Sequence, residues 1–138
     1  MAAGDPMAYR VSLDTLRGII DVRYWDCVPV EQRQAAFEQT SALLAEGAPR
    51  RILIDFSGAR QTAEPLSRVS DFASRLAADE ALRQCRIAFI GPASSRFNIA
   101  LETLSSARGY AFRRFFDREE GLAWLHGRDR ARVSRQAG

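Results

Sequence analysis

Residues 51–58 read Arg51-Ile-Leu-Ile-Asp-Phe-Ser-Gly58. Ile52, Leu53 and Ile54 follow one another without a polar break. A short apolar run of this kind suits a strand covered on both faces, as in a parallel sheet with helices over it. The stretch Arg86-Ile-Ala-Phe-Ile-Gly91 has the same character. Two parallel strands need a crossover of a dozen or more residues, and the chain between them supplies one. Pro65 opens a helical pattern in which Leu66, Val69, Phe72, Ala73 and Leu76 share a stripe.

Towards the N-terminus the period changes. Tyr9, Val11 and Leu13 alternate with Arg10 and Ser12, and Ile20, Val22 and Tyr24 alternate with Asp21 and Arg23. Period two marks strands with one face in the core and the other partly wet. The short link Asp14–Gly18 predicts an antiparallel hairpin. Pro29 then starts a helix with Ala36, Phe37, Thr40, Leu43 and Leu44 on one stripe, stopped by Gly47 and Pro49.

Towards the C-terminus, Ser94 or Ser95 caps a predicted helix bearing Phe97, Ala100, Leu101 and Leu104, which ends at Gly109. Phe112–Phe116 reads as the last strand. Asp117 and Glu120 form a variant capping box for a final helix, in which Trp124 and Leu125 are the core anchors. The order ββαβαβαβα gives a single α/β domain. Its sheet is mixed, of about five strands, with an N-terminal antiparallel hairpin followed by parallel βα units and about four helices. Residues 1–7 are expected to be a flexible N-terminus, 8–126 the domain and 127–138 a disordered arginine-rich tail.

Charge narrows the function classes. All 20 basic residues are arginines, against 17 acids; four of those arginines and one acid lie after His126, which leaves 16 of each in the rest. The folded part is therefore neutral, and specific nucleic-acid binding is not expected of it. No apolar run approaches the ~20 residues of a membrane span. The first residues have neither a basic segment nor an apolar one of the secretory type. Cys27 and Cys85 are far apart and read as reduced thiols, so a cytoplasmic protein is expected. With His126 they make three soft or imidazole ligands, too few for a closed zinc site, so neither metal nor cofactor is expected. His126, the only histidine, reads as a solvated residue at the end of the last helix, not as a catalytic base.

Two segments are candidate ligand or partner loops. Ser57-Gly-Ala-Arg60 follows one inner strand and Gly91-Pro-Ala-Ser-Ser-Arg96 follows the next. Ligands of open α/β sheets gather at the carboxyl ends of strands. Ser57, Arg60, Ser94, Ser95 and Arg96 are the side chains placed there, where hydroxyls, backbone N–H groups and guanidinium suit an anion. The plainer reading is turn and cap chemistry. Trp25 is the candidate contact aromatic, because in a strand it points away from the face that holds Tyr24. Packing of Trp25 beneath a neighbouring helix is the alternative.

Taken together, Arg51–Gly58, Arg86–Gly91 and Phe115-Phe-Asp-Arg-Glu-Glu-Gly-Leu-Ala-Trp-Leu125 resemble the STAS-type domains, in particular the SpoIIAA-like branch related to anti-sigma factor antagonists. The third segment is the most specific, since the last strand of that family runs into a capped helix ending in Trp-Leu. The resemblance spans Tyr9 to Leu125. It implies a non-enzymatic regulatory or interaction module with an unidentified protein partner or a second copy of itself. Antagonists of that family carry a phosphorylatable serine in an Asp-Ser-Ser-Gly-like stretch. Here the corresponding residues are Ala59-Arg-Gln-Thr-Ala-Glu-Pro-Leu66, with Thr62 the only hydroxyl before Ser67. The alternative is a carrier of a small apolar or amphipathic, lipid-like ligand, since the SpoIIAA-like branch has been likened to lipid-transfer folds. A cavity lined by Phe37, Phe72, Phe89 and Phe97 favours the carrier; close packing of those rings favours the interaction module.

Overall fold

Strands β1 (Tyr9–Asp14) and β2 (Ile19–Val28) form the hairpin, with Tyr9 opposite Tyr24 and Leu13 opposite Ile20. The computed structural model describes residues 7–62, 65–91 and 111–127. The Asp14 carboxylate closes the turn by accepting from the backbone and side chain of Arg17. Gly18, at φ +66°, gives its N–H to the Asp14 carbonyl. That left-handed conformation is open to glycine at little cost.

Helix α1 (Val30–Ala45) follows Pro29, whose missing N–H is no loss at a helix start. Then come β3 (Arg51–Gln61), α2 (Leu66–Ala77), α3 (Glu80–Arg83), β4 (Arg86–Ile90), β5 (Ala111–Phe115) and α4 (Arg118–Leu125). The sheet order is β1-β2-β3-β4-β5; only the hairpin is antiparallel. This is the expected mixed five-stranded sheet of a single α/β domain. Helix α3 was not foreseen, being a single turn capped by the Asp79 carboxylate on the Leu82 N–H. The helix expected from Ser94 or Ser95 to Gly109, the first six residues and the tail beyond Gly127 lie outside the described residues.

One face of the sheet presents Ile20, Val22, Tyr24, Ile52, Phe56, Ile87 and Phe89 to α1 and α3, through Ala36, Leu44 and Leu82. Four rings run across it in sequence: Tyr24, Phe56, Phe89 and Phe112, with centroids 5.4, 5.9 and 6.2 Å apart. Each lies on a neighbouring strand, so the aromatic row is a product of register. The opposite face presents Leu53, Ala88 and Ile90 to α4, where Leu125 is buried. Gly121 makes that approach possible, because a Cβ there would lie 2.7 Å from Ile90 Cδ1. Trp124 packs on Phe115 and beneath the Arg86 guanidinium, which donates to the Trp124 carbonyl at 2.6 Å.

Strand β3 is longer than its apolar run. The β2–β3 register shifts between Arg23 opposite Asp55 and Trp25 opposite Gly58, so β3 carries one extra residue there. Beyond this bulge Gly58–Gln61 continue to pair with Trp25–Val28. The expectation that Ser57-Gly-Ala-Arg60 forms a loop is thereby corrected: small residues that suit a turn are held as strand by the partner β2 supplies.

Candidate functional site

At the bulge, on the face covered by α4, four polar side chains form a chain of hydrogen bonds. Asp55 Oδ1 accepts from the Ser57 N–H at 3.0 Å and from its hydroxyl at 2.6 Å. Asp55 Oδ2 accepts from Arg118 Nη1 at 2.9 Å, and Arg118 Nη2 donates to Asp21 Oδ2 at 3.0 Å. Arg118 stands in the first turn of α4, directly after the Asp117 cap that accepts from the Glu119 N–H. One guanidinium therefore bridges two buried carboxylates on β2 and β3. Burial pushes the Asp55 carboxyl up, but the bonds from Ser57 and Arg118 outweigh it and hold it below the usual carboxylate range. Burial likewise pulls Arg118 down, and its bonds to Asp21 and Asp55 more than offset this. Asp21 Oδ1 is buried with no hydrogen-bond partner among the described residues. Beside the network a polar hollow on the hairpin is lined by Arg10, Ser12, Asp21 and Arg23.

The β2–β3 ribbon past the bulge carries the candidate aromatic. Trp25 is 40% exposed whereas Tyr24, one residue earlier, is buried in the core. Asp26 takes a left-handed conformation at φ 56°, which an Asp tolerates better than most residues. Cys27 is exposed and lies opposite Arg60, whose Nη2 approaches its sulfur at 3.5 Å. Ser57, Arg60 and Trp25 thus share one end of the sheet, but Ser57 is engaged with Asp55. Ser94, Ser95 and Arg96 lie outside the described residues.

The interior holds a third feature that the apolar pattern concealed. Arg33 is only 2% exposed; its guanidinium lies 4.5 Å from the Phe56 ring centre and 5.5 Å from that of Tyr24. Burial lowers its pKa to about 10, an effect that Tyr24 partly opposes. It lines a cavity of about 70 Å³ together with Phe37, Phe72, Ile54, Leu76 and Phe112. Phe37 and Phe72 meet edge to face there, at 6.3 Å. Phe89 does not line it, being stacked between Phe56 and Phe112. Phe97 lies outside the described residues.

Sequence reasoning missed Arg118, Asp21 and Arg33, though Arg118 and Arg33 each left a trace. An arginine in a first helical turn opposes the helix dipole and so signals a nearby carboxylate. Arg33 falls on the buried stripe of Val30, Ala36, Thr40 and Leu44. His126 was expected to be solvated; instead its Nδ1 lies 2.9 Å from the Leu122 carbonyl and its Nε2 2.6 Å from that of Arg17. It ties the hairpin turn to the end of α4.

No protein-family model matches the sequence, and no curated protein does. Among solved structures the chain is similar to an uncharacterized protein of the DUF3478 family from Shewanella loihica PV-4, described as having a SpoIIAA-like fold. The two share 16% identity with a TM-score of 0.58, over 86% of this chain and 92% of that one. The likeness is one of fold, and it agrees with the sheet order and the capped last helix: this is an α/β domain with a SpoIIAA-like fold. Among the described residues, no helix is long and apolar enough to cross a membrane.

Proposed function

We propose that the chain is a non-enzymatic regulatory or protein-interaction module of STAS/SpoIIAA-like type that acts in the cytoplasm through its outer surface. The observation that carries this reading is the exposure of Trp25 on a β-ribbon that also presents Arg60. Trp and Arg are the residue types most enriched at interface hot spots. The ribbon is fixed by pairing with β3, so Trp25 is presented with little ordering cost on binding. Partner switching by phosphorylation is not part of the proposal, since Ala59–Leu66 lacks the serine motif.

The double variant Trp25→Ala/Arg60→Ala tests it. The melting temperature is expected to stay close to that of the wild type, because both side chains are exposed. Retention of the protein partner captured by the wild type is expected to fall by about tenfold or more, as loss of hot-spot side chains does. Equal capture by the variant would remove this ribbon from the interface.

The carrier of a small apolar ligand is the second reading, favoured by the cavity between Phe37, Phe72 and Arg33. At about 70 Å³ that cavity is small beside the roughly 300–1,000 Å³ of ordinary ligand pockets. The interaction module therefore stands first.

A further inference from the structure

The outer side of β1 carries the hydrogen-bonding groups of an edge strand, and their direction follows from two contacts. Trp25 donates its N–H to the Ala8 carbonyl and Gly18 to that of Asp14. In an antiparallel ladder the backbone groups of alternate residues point to the same neighbour. Arg10 and Ser12 therefore point inward to β2 with Ala8 and Asp14, while those of Tyr9, Val11 and Leu13 point outward. Such an edge invites another strand unless charge or shape prevents it.

Charge along this edge favours one partner. Arg10 stands directly opposite Arg23 in the hairpin, an arrangement that is unfavourable for like charges. Among the described residues, no carboxylate pairs with Arg10. Four residues on, Asp14 carries the opposite charge on the same face of the strand. Its carboxyl is held below its ordinary value chiefly by the Arg17 N–H; it also pairs with the exposed Arg17 guanidinium at 3.1 Å and keeps lone pairs for a further donor. Three exposed large apolar residues, Met7, Leu13 and Leu16, follow the same edge, and Leu16 is 94% exposed.

We propose that β1 pairs antiparallel with β1 of a second copy of this chain, about a twofold axis through Ser12. In that register Arg10 faces the partner's Asp14, and Asp14 faces the partner's Arg10. Val11 and Leu13 each exchange backbone hydrogen bonds with the other in the partner, joining two five-stranded sheets into one. The exposed Leu16 falls beside the partner's Met7 and Ala8. Shifting the strands by two residues in either direction loses the complementarity: one shift sets Arg10 against the partner's Ser12, and the other sets it against the partner's Leu16, in the turn, and shortens the paired length. A single strand edge buries less than the ~1,200 Å² of a standard interface, so the dimer is reversible and concentration-dependent. This inference goes beyond the Trp25–Arg60 reading and does not rest on it.

Two measurements test it on the full chain. In sedimentation velocity the wild type is expected to shift from monomer to dimer as concentration rises, and Arg10→Asp to raise the dissociation constant by about tenfold or more. Circular dichroism and melting temperature confirm that the exposed substitution leaves the fold intact. In a Cys27→Ser background, Ser12→Cys is expected to form a covalent dimer under mild oxidation. Directly opposed residues of a non-hydrogen-bonded pair have Cα atoms about 4.5 Å apart, within disulfide reach. Arg10→Cys, displaced from the axis, is expected not to crosslink. A wild type that remains monomeric at every concentration would overturn the proposal, as would crosslinking of Arg10→Cys as fast as that of Ser12→Cys.

Discussion

Arg118→Met is expected to lower folding stability by about 3 kcal/mol, at the lower end of the range for a broken buried ion pair because the guanidinium is partly solvent-exposed. The substitution keeps the packing stem and removes the group that bridges Asp55 and Asp21, leaving two buried carboxylates without their nearest cation among the described residues. Its pH dependence distinguishes this from lost packing. The folded-state pKa of Asp55 lies below its unfolded value. Its contribution is therefore complete above the unfolded value and is lost as pH falls through the folded one. The gap between wild type and variant should be widest near neutral pH and shrink below about pH 4. Urea unfolding at several pH values reads it directly. A gap that is small, or the same at every pH, would mean that the network contributes little beyond contact.

Phe89→Ala is expected to cost about 3–5 kcal/mol, the usual range for truncating a fully buried ring. Phe89 is 2% exposed and stacks on Phe56 to one side and Phe112 to the other, so its removal opens a void in the middle of the aromatic row. Phe37→Ala, at the half-buried rim of the existing cavity, should cost distinctly less. The comparison bears on function. A loss below about 1 kcal/mol for Phe89→Ala would describe a loosely filled interior of the kind a carrier needs.

The parts of the fold legible in the sequence are those whose signal is local. Period two placed Tyr9, Val11 and Leu13 opposite Arg10 and Ser12, and it separated Tyr24 from Trp25 as the hairpin does. The stripe of α1 and the Asp117 cap of α4 were equally direct. What escaped depends on distant partners. Ser57–Arg60 has turn composition, and only its pairing with Trp25–Val28 makes it strand. The bond from Arg118 to Asp21 spans 97 residues of sequence. Asp21 read as a solvent-facing strand residue until α4 and its first-turn arginine were placed over that face. Helix α3 is too short to show a helical period.

The central claim is that the domain works through its surface and not by enclosing a ligand. Native mass spectrometry of the protein, purified without denaturation or added lipid, tests this most directly. The expected spectrum contains the mass of the bare chain and, at higher concentration, twice that mass. A stoichiometric small molecule that accompanies the wild type and is lost when Phe37 or Phe72 is replaced by a polar residue would contradict it, and would place the function in the cavity beside Arg33.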